Sequence, residues 1–466
     1  MAKRTYFGLP AGELSISDAT DSLEESETWM AVYHHDDKVG YARSRFIKQP
    51  DGFMVLEKAL MNLRITGSVH RISTEITGHL NQDASLRSFV FFLHSGLVRF
   101  EARGRVEDKK LVLSTRFGGD WRKSTIMLQD KPYLSAGLWP HLVEKGVAVG
   151  ARYRLSVFDP STMAQRPVDV EVVGRETIAV AGRKWDALKV RTMFMGAESF
   201  AWIGPKGERL KEEGIMGLRL VKATEKQALS GIRSDPGADI TEDASVTCNR
   251  LLKGASKMVY LKVRFDGGDL GGLDLDGGRQ HLAGSALEIA LESAPFSVEL
   301  PSLYDTEHIE PYLRVEPMVQ SDHPGIKVLA GEIVDQAKDS EAKARKILDW
   351  VHKSLDKRAT VSVPSALGTL SSMAGDCNEH AVLFASLLRA AKIPAKLCAG
   401  LVYTRGRFYY HAWNEVFLGK WVTADALMGQ MPADVTHIRL VEGGLERQAD
   451  IVGVIGRLRL DVLEAR

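Results

Sequence analysis

Three residues in the C-terminal part of the chain are of the types that carry out acyl transfer together: Cys377, His411 and Asp425. Cys377 stands in Gly375-Asp376-Cys377-Asn378-Glu379-His380, directly before an apolar run from Ala381 to Ala391. Ala381, Phe384, Ala385 and Leu388 fall on the helical face of Cys377, at offsets of four, seven, eight and eleven. Asp376 is the expected N-cap, and Gly375 permits a tight approach to the helix, so Cys377 is expected in the first turn of a buried helix. Unpaired N–H groups and the helix dipole there favour the thiolate over the thiol. His411 opens an alternating run that ends at Leu418, and a second run, Trp421 to Asp425, carries one acid. A nucleophile at a helix start, a base on a strand and an acid on the next strand are the parts of a thiol triad. In that reading Cys377 attacks, His411 serves as base and then acid, and Asp425 orients His411.

This reading places a demand on the connection between the two runs. Side chains alternate faces along a strand, so His411, Trp413 and Glu415 share one face. With Gly419-Lys420 as a strict two-residue turn, Asp425 would point away from His411. A three-residue connection, Leu418-Gly419-Lys420, pairs Phe417 with Trp421 and Asp425 with Trp413, which brings Asp425 to the His411 face. Gly419 suits the left-handed residue that such loops contain.

Competing readings of the same residue types are weaker. Cys377-x-x-His380 with His411 has the elements of a zinc site, but structural zinc takes four ligands in paired clusters and the second pair is missing. Cys398 lies mid-strand in Ala395 to Tyr403 and reads as a small buried hydrophobe. His34-His35 and Asp36-Asp37 fall on a hairpin and read as a solvated turn. The run Asp266 to Gly278 is rich in Gly and Asp but lacks the spacing of a calcium loop, so it reads as a strand connection. No metal and no cofactor is expected.

At the candidate residues the chain resembles the transglutaminase-like superfamily of papain-type thiol enzymes. The matching pieces are Gly375-Asp376-Cys377, Leu387 to Ala395, Gly400, His411-Ala412-Trp413, Trp421 and Asp425. The resemblance spans roughly 322–444. It implies a papain-like α+β catalytic domain with Cys377 as nucleophile, His411 as base and Asp425 as its orienting group. It also implies a thioester acyl-enzyme, formed on a peptide or glutamine-type amide and resolved by water more than by an amine. Ala426-Leu427 stand where similar bacterial sequences tend to have Pro-Thr, which loosens the turn after the acid. A weaker resemblance joins the N-terminal region to bacterial envelope β-domains of unknown function. It is carried by Gly150, Phe158-Asp159-Pro160, Trp202 and Lys211-Glu212-Glu213-Gly214, and it implies a periplasmic or envelope location.

The elements that must position these residues set the architecture. A chain of 466 residues exceeds one core and points to several domains. Short alternating runs fill Trp29 to Lys226, which reads as a large antiparallel, curved all-β region, 1–226. Within it Val168 to Val173 and Thr177 to Val180 read as separate strands, with a turn at Gly174. A segment rich in Ser, Asp, Gly and Ala, 227–247, reads as a linker, followed by a small β-domain, 248–301, and the catalytic domain, 302–466. Asp322 is the expected cap of the first catalytic-domain helix, and Asp339 that of the second. The apolar share of 44% and the charged share of 26% are those of a globular protein. With a net charge of +1 and no Lys/Arg block, nucleic-acid binding has no electrostatic support. No run of 18 or more apolar residues encodes a membrane span. No apolar stretch follows Lys3 and Arg4 to make a signal peptide. The expected partner is a protein or peptide substrate. The rival reading is a non-catalytic binding or scaffold protein in which the β-region carries the function.

Overall fold

In the computed structural model, described for residues 25–466 except 97, 118, 145–146, 295 and 297–307, the chain divides into two units, 1–240 and 241–466. The protein is mostly β, with a large antiparallel sheet in its N-terminal part. No helix of the described residues is long and apolar enough to cross a membrane.

The first unit is built on one 14-stranded sheet. Eight strands from Ser26–His34 to Arg122–Met127 step outward in one direction. Six more, from Arg152–Asp159 to Leu218–Ala223, step back until the last pairs with the first. Every neighbouring pair is antiparallel, so short hairpin turns suffice throughout, and the sequence needs only alternation to specify it. Pro132 and Tyr133 tie the outermost returning strand to the other half: Leu86 donates to Pro132 O, and Tyr133 bonds Ser156 and Phe158. Residues 168–180 form one strand rather than two. Ala164–Val180 runs straight through Gly174, where the register slips between Val172 and Gly174, so the predicted turn is a β-bulge. His34 is 1% exposed at the end of its strand, so the solvated-turn reading fails for it: the turn sits one residue later. The predicted linker is tied down as far as residue 239. Lys38 accepts at its carbonyl from Arg233 N, Gly237 N donates to Asp37, and Asp239 accepts from Thr66 N and Gly67 N.

The second unit carries the candidate residues. A four-stranded antiparallel sheet has the order Trp421–Ala424, Arg407–Phe417, Ala395–Thr404, Ile438–Glu442. Two cores share it. In one, Ile347, Val351, Leu383 and Leu387 of the helices meet Val416 and Val422. In the other, Leu401, Phe408 and Leu440 meet Leu261, Ile289 and Val462 of a five-stranded sheet. That second sheet draws on both ends of the unit, because Arg459–Ala465 lies between Thr247–Cys248 and Tyr260–Asp266. The Gly/Asp-rich connection is held to the first sheet: Asp274 accepts from Glu442 N and pairs with Arg447. The helix Ser340–Ser354 is capped by Asp339 as expected, but Pro324–Val334 is capped by His323, whose Nδ1 accepts from Gly325 N, and not by Asp322.

Candidate active site

The helix Cys377–Ala390 begins at Cys377, and Asp376 caps it by accepting from Asn378 N at 3.1 Å. Glu379 closes the cap from the other side. It accepts from Asp376 N at 3.0 Å and from Thr360 Oγ1 at 2.9 Å, and Ser362 donates to it as well. Every residue from Glu379 to Arg389 is buried, the mark of a helix surrounded by its own domain. Leu383, Leu387 and Leu388 have no exposed surface, and each contributes about 1.5–3 kcal/mol of apolar burial to fixing the position of Cys377. Asn414 ties this helix to the sheet, donating to Ala381 O at 3.1 Å and Lys396 O at 3.0 Å.

The connection after the His411 strand has three residues. Phe417 pairs with Trp421 and Asn414 with Ala424, Leu418 N donates to Lys420 O, and Gly419 takes φ +82°. This is the register expected from the sequence. The ladder ends at Ala424, so Asp425 does not pair with Trp413. It opens a turn instead, in which Asp425 and Gln430 bond each other's backbone and Met428 N donates to Asp425 Oδ1 at 2.9 Å. The turn swings the carboxylate to the imidazole: His411 Nε2 donates to Asp425 Oδ2 at 2.7 Å, with His411 8% and Asp425 1% exposed. Nδ1 is thereby left as the nitrogen able to receive a proton. The Cys377 thiol, half-buried, lies against the backbone N–H of Ala412, the residue next to His411.

Electrostatics at Cys377 run opposite to the sequence expectation. Burial, and then the Asp376 carboxyl, push the thiol well above its ordinary value, while the Ala412 N–H acts the other way. The helix terminus is outweighed, and the net push on the thiol is upward. Asp425 behaves differently. Burial would raise it, but the charge and hydrogen bond of His411 and the hydrogen bond of His437 outweigh burial and hold it far below the usual carboxylate range. Cys398 has no exposed surface and its thiol is likewise pushed up, first by burial and then by Glu415.

Sequence reasoning missed His437. It is fully buried, its Nε2 lies 2.9 Å from Asp425 Oδ2, and its ring meets Trp413 edge-on at 5.3 Å. The strand that follows it, Ile438–Glu442, packs beside Ala395–Thr404 only because Gly400 has no side chain: a Cβ there would lie 2.0 Å from Ile438 O. The sole sequence signal was an imidazole close to an Asp-x-Thr turn, Asp434-Val435-Thr436, where Asp434 Oδ1 accepts from Thr436 N. Donor atoms of His411, Asp425 and His437 lie within 4.8 Å of one another, but they are hydrogen-bonded together, and gathering them on a metal would break both bonds. His380 Nδ1 lies 2.7 Å from Asp376 O, which ties its ring to the start of the Cys377 helix.

Residues 327–426, the helices through the Asp425 turn, match the family profile of the transglutaminase-like superfamily. This segment is a transglutaminase-like domain. The match begins inside the helix Pro324–Val334 and ends one residue past Asp425. No curated protein matches the chain. Among solved structures, a candidate cysteine protease of Cytophaga hutchinsonii is 17% identical with TM-score 0.30, over 44% of this chain and 88% of its own. A β-barrel-like protein of Brucella abortus, with a domain of unknown function, is 12% identical with TM-score 0.35, over 43% and 96%. A candidate protease of Parabacteroides distasonis is 12% identical with TM-score 0.22, over 80% and 70%.

Proposed function

We propose that the second unit catalyses cysteine-dependent acyl transfer on peptide or glutamine-type amides, with Cys377, His411 and Asp425 as a triad and water as the acceptor. The observation that carries this reading is the buried His411–Asp425 hydrogen bond, which fixes the tautomer and leaves Nδ1 as the base. His411 Nδ1 takes the Cys377 proton as the sulfur attacks the substrate carbonyl. The tetrahedral oxyanion is met by the Cys377 backbone N–H, which the first turn of a helix leaves unpaired. Collapse expels the amine with the proton from His411 and leaves a thioester. Water, deprotonated by His411, adds to the thioester and releases the acid and the thiol.

The experiment is alkylation by iodoacetamide followed by peptide mass spectrometry, then incubation with a glutamine-containing peptide. Cys377 is expected to label before Cys398, and mass spectrometry should find a product 1 Da heavier, the mark of deamidation, or a cleaved peptide. Both activities should vanish in Cys377→Ala and His411→Ala. Labelling of Cys398 first, or full turnover in Cys377→Ala, refutes the assignment.

One observation favours a second role for the first unit. A cavity of about 340 Å³ lies in it, walled by Leu138, Val157, Phe158 and Val170 and polar at Glu57 and Arg209. It supports the reading of that unit as a binding module. If no thiol probe reacts with Cys377, binding by this unit becomes the principal function.

A further inference from the structure

Both ring nitrogens of His437 face oxygen atoms that can only accept. Nε2 lies 2.9 Å from Asp425 Oδ2, and Nδ1 lies 3.2 Å from the backbone carbonyl of Asp434 and 3.5 Å from its carboxylate. A carbonyl oxygen never carries a proton. The Asp425 carboxylate is held ionised, since Oδ2 faces His411 and His437, Oδ1 accepts from Met428 N, and these contacts outweigh its burial. Each nitrogen of His437 must therefore bring its own hydrogen, and a ring with two N–H groups is an imidazolium.

The surroundings keep that charge in place. The ionisable groups facing His437 are Asp425 and Asp434 at its two nitrogens and His411, whose ring centre is 5.8 Å away. Arg279 approaches only the backbone, donating to the carbonyls of Asp434 and His437, and it is paired with Glu292. Trp413 closes another side. Burial works against a charged His437, but the hydrogen bonds to Asp425 and Asp434 outweigh it and hold the ring above its ordinary range.

We propose that His437 is a standing cation that shares Asp425 with His411 and offsets part of its negative charge, so that His411 releases a proton as readily as it takes one. The part that concerns His411 rests on the acyl-transfer reading above. Asp425 alone would set a full, uncompensated negative charge 2.7 Å from His411 Nε2. With His437 on the same oxygen the Asp425–His437 pair is neutral, and only the more remote Asp434 remains to attract the proton. His437 thus fixes the Asp425 carboxylate in position and sets how strongly it pulls. It touches neither substrate nor sulfur, so it is a positioning residue.

Two measurements on the full chain test this. The first is ¹⁵N NMR of histidine-labelled protein from pH 5 to 8, with His437 assigned by the signals missing from His437→Gln. Both of its nitrogens are expected at the imidazolium shift across the range, and a bare nitrogen at pH 6 overturns the proposal. The second is the pH profile of Cys377 alkylation by iodoacetamide in His437→Gln, which keeps a donor for Asp425 without the charge. Removing a cation about 6 Å from His411 should move the alkylation midpoint up by about one to two pH units. A merely structural role would lower the rate equally at every pH, and an unmoved midpoint in the folded variant overturns the proposal. If His437→Gln does not fold, the wild-type spectrum decides, His437 being then assigned through the proximity of its ring to that of Trp413, 5.3 Å away. Failure of the acyl-transfer reading looks different: His411→Ala would leave wild-type alkylation of Cys377 unchanged, while the His437 spectrum would still show two protonated nitrogens.

Discussion

Replacing Asp425 by Asn keeps the shape of the buried group and removes its charge, and the hydrogen-bond geometry sets the consequence. Oδ2 accepts two N–H donors and Oδ1 a third. An amide has one accepting oxygen, so either both imidazoles or Met428 N must face an NH2 group. Removing one partner of a buried ion pair costs about 3–5 kcal/mol, and the loss falls at the lower end here because His437 can shed its proton. About 3 kcal/mol in a unit of this size corresponds to a fall in Tm of about 6–12 °C. The sign of the pH dependence follows from the depressed folded pKa of Asp425. Its stabilisation is fully present above the unfolded value near 4 and declines as pH falls toward the folded one, by about 1.4 kcal/mol per unit. Calorimetry of the wild type and Asp425→Asn at pH 6 and pH 3 is the assay. The deficit should be large at pH 6 and smaller by about 1 kcal/mol at pH 3. An equal deficit at both pH values, or none at pH 6, refutes the picture of an ionised, triply bonded carboxylate.

Asn414→Ala should lower the stability of the second unit by about 1–3 kcal/mol in denaturant titration, because it removes both side-chain hydrogen bonds that join the Cys377 helix to the sheet. Gly400→Ala should prevent Ile438–Glu442 from docking, read as loss of the His437 imidazolium signal even where the rest of the unit folds. Glu415→Ala should cost about 1.5–3 kcal/mol, since Arg439 loses a charged hydrogen bond while it and Lys396 both keep Glu442, and Glu415→Gln should recover part of it.

What could be read from the sequence was what local periodicity and caps specify. Asp376 and the spacing after Cys377 located the helix start, and the demand that Asp425 reach the face of His411 picked the three-residue connection that pairs Phe417 with Trp421. What failed depended on balance or on distant neighbours. The helix terminus argued for a thiolate at Cys377, but burial beside Asp376 reverses the direction, and no local pattern reports burial energy. Gly174 looked like a turn because glycine permits both a turn and a bulge, and only the partner strand Arg183–Phe194 decides between them. His437 was invisible because its strand neighbours Ala395–Thr404, far away in sequence, and because its partner acid was already assigned to His411.

The strand Arg459–Ala465 occupies an inner position of its sheet, between segments that come more than a hundred and fifty residues earlier. A chain emerging from the ribosome can form the Cys377 helix and the His411 hairpin while Thr247–Cys248 and Tyr260–Asp266 still have a gap between them. Leu261 and Val263 are then exposed to water, although they have no exposed surface once Leu460 and Val462 arrive. The unit therefore closes last around its final strand, and pairings of such long sequence separation form slowly. During synthesis the candidate residues can be assembled well before the domain that holds them is shut, and the arrival of Arg459–Ala465 sets the moment at which the site becomes rigid.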